Sequence, residues 1–201
     1  PGNAGLSKAG AEAIRRMNEL GIAVDVSHCG QRTTAEAIEA STKPVLITHS
    51  GCAAVYPHPR SKNDQELRRL AERGGFFGIF LMPYLVGSPA SPSKEIVLQH
   101  LEHALKVCGS DHVGIGSDGP IQRYDDSPEQ LKRFAADVER RKRLGIAAPG
   151  EDRPPYVPDL NSPRRLETLA EEMQKRGHPS SVIAKVIGGN FYRVLGEIWG
   201  S

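Results

Sequence analysis

The sequence has little cysteine: Cys29, Cys52 and Cys108 are the only three in 201 residues. The number is odd and no Cys-x-x-Cys pair occurs, which argues against a disulfide framework and against a thiolate zinc site. No apolar run is long enough to span a bilayer as a helix. Neither charge is in real excess: 26 Lys and Arg face 24 Asp and Glu, a net charge of +2. Composition therefore gives no electrostatic case for nucleic acid or a membrane surface. The one dense basic cluster, Arg140-Arg141-Lys142-Arg143, shares a helical stretch with Asp137 and Glu139 and reads as a solvated helix face. There is also no initiator methionine or signal sequence ahead of Pro1-Gly2-Asn3. The expectation is a processed or truncated product, whose start says nothing about compartment, bacterial cytoplasm or export.

What is present is an ordinary globular balance, 38% hydrophobic and 25% charged, in a chain of single-domain length. Three short apolar runs end abruptly in polar residues. They are Gly21-Ile22-Ala23-Val24-Asp25-Val26-Ser27-His28, Pro44-Val45-Leu46-Ile47-Thr48-His49 and Val113-Gly114-Ile115-Gly116-Ser117-Asp118. Each follows a helical pattern. Ser7 caps a helix to about Leu20 that Gly21 stops, with Ala13, Ile14 and Met17 on one face. Strand 22–28, a helix from Thr33 or Thr34 to Ala40, strand 44–48, a helix from Asn63 or Asp64 to Gly74, and strand 76–81 follow. Ser93 then opens a helix to about Val107, with Val97, Leu101, Ala104, Leu105 and Cys108 at helical spacing, and strand 113–117 comes next. Residues 128–144 read as a helix with Leu131, Phe134, Ala135 and Val138 buried, and 146–161 as irregular, with prolines at 149, 154, 155 and 158. Three short helices, about 162–176, 179–187 and 189–199, close the chain. Strands alternating with helices imply an α/β fold with a parallel sheet buried on both faces. Four such steps amount to half of a (β/α)8 barrel with two unpaired strand edges. Either absent sequence or another chain supplies the other half, which is the preferred expectation, or the sheet is a small open one.

In this architecture ligands sit at the carboxyl ends of the strands. His28 and His49 fall at that end of adjacent strands, about 4.8 Å apart, within reach of one ion. Two histidines do not complete a zinc site, which takes three or four protein ligands. Asp118 shares the parity of Gly114 and Gly116, which leave room on its face. It could serve as general base near a metal-activated water, or merely cap the turn at Asp118-Gly119-Pro120. Arg60, on the loop after the His49 strand, suits bidentate capture of a carboxylate, or is a solvated loop arginine. His112 starts its strand, at the opposite end from the chemistry, while His100, His103 and His178 read as structural and Cys29 and Cys52 as packing.

These residues sit in segments that resemble the carboxyl-terminal half of the membrane or renal dipeptidases, the zinc dipeptidases of peptidase family M19. The matching segments are Gly5-Leu6-Ser7, Met17-Asn18-Glu19-Leu20-Gly21, Val24-Asp25-Val26-Ser27-His28, Thr48-His49-Ser50, His58-Pro59-Arg60, Asp111-His112-Val113-Gly114-Ile115-Gly116-Ser117-Asp118 and Gly188-Gly189-Asn190-Phe191. They run in order over nearly the whole chain. The resemblance implies a (β/α)8 TIM-type barrel of the metal-dependent hydrolase kind. This chain would supply about the last four β/α units plus the C-terminal helices. It implies one barrel domain over 1–201, with a lid-like insertion at 121–160 and closing helices over 161–201. It implies a two-zinc site in which His28 and His49 hold the second zinc, Arg60 binds the carboxylate of a dipeptide, and Asp118 is the acid–base residue near a bridging hydroxide. A homodimer of the full-length protein is the expected assembly.

The family's His-x-Asp motif, its bridging glutamate and an upstream substrate-contacting histidine have no counterpart in this sequence. The family's Ser-Asp-Phe-Asp-Gly turn is here Ser117-Asp118-Gly119-Pro120. Two other readings stand beside the dipeptidase: a related metal-dependent amidohydrolase or lactonase, and a non-catalytic half-barrel that binds a partner chain through its open edges.

Overall fold

The Ser7 hydroxyl accepts the Gly10 N–H at 3.0 Å and so starts α1, Lys8–Glu19. Gly21, at φ +66°, turns the chain out of it as only glycine does readily. The computed structural model, which describes residues 3–200, then repeats the step from helix to strand three more times. The order is β1 (Val24–Asp25), α2 (Gln31–Ala40), β2 (Val45–Ser50), α3 (Asp64–Glu72), β3 (Phe76–Ile79), α4 (Lys94–Cys108) and β4 (Val113–Ile115). The sheet is parallel throughout, in the order β1-β2-β3-β4. It is an α/β fold of the parallel-barrel type, of which the described residues hold four β/α units.

Alternation decides which side each residue serves. Ile47, Phe77, Ile79 and Val113 point to the helices and are fully buried with Leu67, Leu70, Val97, Leu98 and Leu101. Each such side chain contributes about 1.5–3 kcal/mol by leaving water. Leu46 and Phe76 point the other way. There they pack on Val194 and Ile198 of α8 (Asn190–Trp199), which covers the amino-terminal end of the sheet's concave side. The opposite, carboxyl-terminal end stays open. α5 (Pro128–Arg143), α6 (Arg165–Lys175) and α7 (Ser180–Ala184) complete the chain.

Several sequence expectations need correction. β1 is paired over two residues rather than 22–28, because Asp25 Oδ1 accepts the Ser27 N–H at 2.9 Å and folds the chain into a turn before His28. α2 begins at Gln31 after an uncapped Gly30, and Thr34 lies buried inside it. α5 buries only Val138: Leu131 and Phe134 are half-buried and Ala135 is exposed, so the helix rests lightly on the body. The basic cluster at its end is paired as expected, Arg140 with Asp137, Lys142 with Glu139 and Arg141 with Glu151.

Candidate functional site

The four residues singled out by sequence all lie at the carboxyl-terminal end of the sheet. β2 carries a register shift between Ile47 and Ser50, and this irregularity turns Thr48 and His49 toward the open end. His28 arrives from the turn after β1. The Nε2 atoms of His28 and His49 are 2.9 Å apart. Arg60 Nη2 lies 3.1 Å from His28 Nε2, and Asp118 Oδ1 lies 3.9 Å from His49 Nε2. Asp118 has φ +54°, a left-handed conformation that aspartate tolerates better than most side chains and that often marks functional turns.

The partners of these nitrogens say where the protons are. A guanidinium can only donate, so His28 Nε2 accepts from Arg60 and is unprotonated. Burial, then the Arg60 charge and His49, hold the His28 imidazole below its ordinary pKa, which keeps it neutral. His49 Nδ1 faces the Thr48 hydroxyl at 2.9 Å. That hydroxyl donates its single proton to Asp25 Oδ2 at 2.5 Å, so toward His49 Nδ1 it can only accept. The two Nε2 atoms thus lie in direct contact, and a cation lodged against both in place of a shared proton would be held by both rings. Two bonds of about 2.0–2.1 Å to one ion would span this separation at an angle of about 90°, tighter than tetrahedral. Among the described residues no three His, Cys, Asp or Glu side chains converge on one point. The donors present thus fit part of a zinc shell, two nitrogens, and not the whole of one.

Residues that the sequence reading passed over hold this arrangement. Asp25 lies on the concave face of β1; burial opposes its ionisation, but hydrogen bonds from Ser27 and Thr48 outweigh that and lower its pKa. Buried Lys62 donates to Val26 O at 3.1 Å, Cys29 O at 2.7 Å and Thr34 Oγ1 at 2.9 Å, and so fixes the turn carrying His28. Burial pushes its pKa down despite Glu66 nearby. His58 stacks against Tyr84 at 4.9 Å, its Nδ1 accepts the Arg60 N–H at 3.1 Å and its Nε2 donates to Pro149 O at 2.9 Å. The Arg60 guanidinium lies 6.0 Å from the centres of the Phe80 and Tyr84 rings, within cation–π range. The signals in sequence were slight: an aspartate inside an apolar strand, and a histidine two residues before Arg60.

One expectation changes here. The space beside Gly116 is taken by the Thr48 carbonyl, and that beside Gly114 by the Phe76 ring and the Val186 carbonyl, so those glycines make room for protein rather than for a ligand. His100 is structural as expected: buried, with Nδ1 accepting from Cys52 N and Nε2 donating to Leu85 O, both at 2.9 Å. Among the described residues no helix is long and apolar enough to cross a membrane.

Comparison with known proteins places the chain. A dipeptidase of Clonostachys rogersoniana, verJ, is 38% identical over 198 residues, which are 98% of this chain and 43% of that protein. An amidohydrolase from Pseudomonas aeruginosa superposes with a TM-score of 0.81 at 30% identity, covering 98% of this chain and 59% of that one. A metallopeptidase from Rhodobacter sphaeroides, solved with a phosphinate mimic of the dipeptide L-Ala-D-Ala, gives 0.75 at 25%, covering 97% and 48%. The chain thus spans about two fifths of such curated relatives, 39% of a Claviceps purpurea dipeptidase among them, and about half of the solved ones. Residues 2–144 match the family described as membrane dipeptidase, and the chain belongs to that family, peptidase family M19.

Proposed function

We propose that this chain serves a zinc-dependent dipeptidase, with His28 and His49 holding one zinc ion of a two-zinc site. The observation that carries the reading is the pair of Nε2 atoms 2.9 Å apart at the open end of the sheet. When bound, zinc would make a water acidic enough to attack at neutral pH and would polarise the scissile carbonyl. Arg60 binds the terminal carboxylate through its planar fork and so sets the scissile bond in register with the histidines. Asp118, solvent-exposed beside His49, takes a proton from the attacking water and returns it to the leaving amine. Residues 121–160 form the rim of the site within a single domain, and the full-length protein is a homodimer.

The test is elemental analysis of the purified protein and of His49→Ala, with dipeptide hydrolysis measured on both. Zinc in the parent protein, with metal content and rate falling together in the variant, supports the reading. Loss of rate with full metal retention removes His49 from the shell. The P. aeruginosa neighbour, called an amidohydrolase, favours one second reading: the same site acting on another small amide or a lactone. Turnover of acyl-lactones in preference to dipeptides would establish it. A metal-free protein that binds a partner chain through its open edges would be the non-catalytic half-barrel.

A further inference from the structure

We propose that Asp25 and Thr48 are positioning residues that select the metal-binding tautomer of His49. The inference rests on the reading of His49 as a ligand and goes beyond it. Asp25 Oδ1 accepts from Ser27 Oγ at 2.5 Å, Ser27 N at 2.9 Å and Thr48 N at 3.3 Å, while Oδ2 accepts from the Thr48 hydroxyl at 2.5 Å. Both carboxylate oxygens are thus spent on donors from the turn after β1 and from β2. The Thr48 hydroxyl has one proton, and Asp25 takes it. The hydroxyl can then offer His49 Nδ1, 2.9 Å away, only a lone pair, so the imidazole proton is held on Nδ1 and Nε2 is left bare. Ser27 Oγ also accepts the His49 backbone N–H at 3.2 Å, which fixes the strand irregularity beneath the ring. Without an acceptor at Asp25, the same hydroxyl is free to donate to Nδ1. The imidazole proton then moves to Nε2, where it blocks a metal. Histidine ligands are generally oriented through their other ring nitrogen in this manner. Here the orienting group works at one remove, through a hydroxyl whose direction a carboxylate dictates.

The test compares the parent protein with Thr48→Val, Thr48→Ser, Asp25→Asn and His49→Ala, all on the full chain. Zinc affinity is read by competition with a chromophoric chelator, and the His49 tautomer by its ring 15N shifts before zinc loading. Thr48→Val keeps the β-branched shape and removes only the hydroxyl. The expected result is a loss of zinc affinity of about 10–100-fold in Thr48→Val and in Asp25→Asn, with His49 no longer purely Nδ1–H, and recovery to within a few-fold in Thr48→Ser. Parent-like affinity and tautomer in Thr48→Val and Asp25→Asn, while His49→Ala loses zinc, overturns the positioning role and leaves the ligand reading intact. Full zinc retention in His49→Ala overturns both.

Discussion

Arg60 reaches the site from a loop, yet its backbone N–H is held by His58 and its guanidinium lies between aromatic rings and His28. A substrate carboxylate would meet a fork already aimed. If Arg60 anchors the substrate in both the ground and transition states, Arg60→Ala should raise KM for dipeptides about 10–100-fold and change kcat much less. Steady-state kinetics decide it, and an unchanged KM removes Arg60 from the site. Arg60→Lys should restore only part of the loss, since an ammonium cannot make the paired bonds. At this scale the sequence was informative where a polar residue closes an apolar run, as with His28, His49 and Asp118. It was silent where function passes through a bond between strands. Nothing local to Asp25, Thr48 or Lys62 says which residue of the next strand it will meet.

The elements approach one another most closely at the Thr48 carbonyl. A Cβ on Gly116 would lie 1.6 Å from the Thr48 carbonyl oxygen, and one on Gly78 would lie 2.0 Å from it. Three strands therefore converge on the peptide that carries His49. Gly116→Ala must push that peptide away, at a cost of about 3 kcal/mol or more, and should lower zinc content with it. Gly119→Ala is the control, because only the Ser117 carbonyl, at 3.9 Å, lies near its added methyl. Urea unfolding with metal analysis reads both variants; equal stability would show that the sheet relaxes freely there. The order of the elements was legible because α1, α3, α4 and α5 each have their own start signal, such as the Asn63–Glu66 capping box. Strand ends were not, because pairing and the irregularity in β2 are tertiary in origin and the short Asp25 turn was read as strand.

For the molecule as a whole, buried histidine governs behaviour in acid. Burial pushes His100 down to about 4 from an ordinary value of 6.5. The unfolded chain takes up its proton near pH 6.5, the folded one only near pH 4. The stabilisation is therefore complete above about pH 6.5 and is lost as the pH falls toward 4, about 3 kcal/mol over that window. His58, also buried and lowered, acts in the same direction. Thermal melting from pH 7.5 to 4 should show Tm level at the top and falling below 6.5. His100→Gln should flatten part of the slope; an unaltered slope would place the acid sensitivity elsewhere. The His58 imidazole has a different consequence. It donates to the Pro149 carbonyl with one nitrogen and accepts the Arg60 backbone N–H with the other. The exposed helix Pro128–Arg143 buries a single side chain, so a change in its length would leave the body packed as it is. A displaced carbonyl at Pro149 would instead be felt at Arg60, which in the reading proposed above grips every substrate.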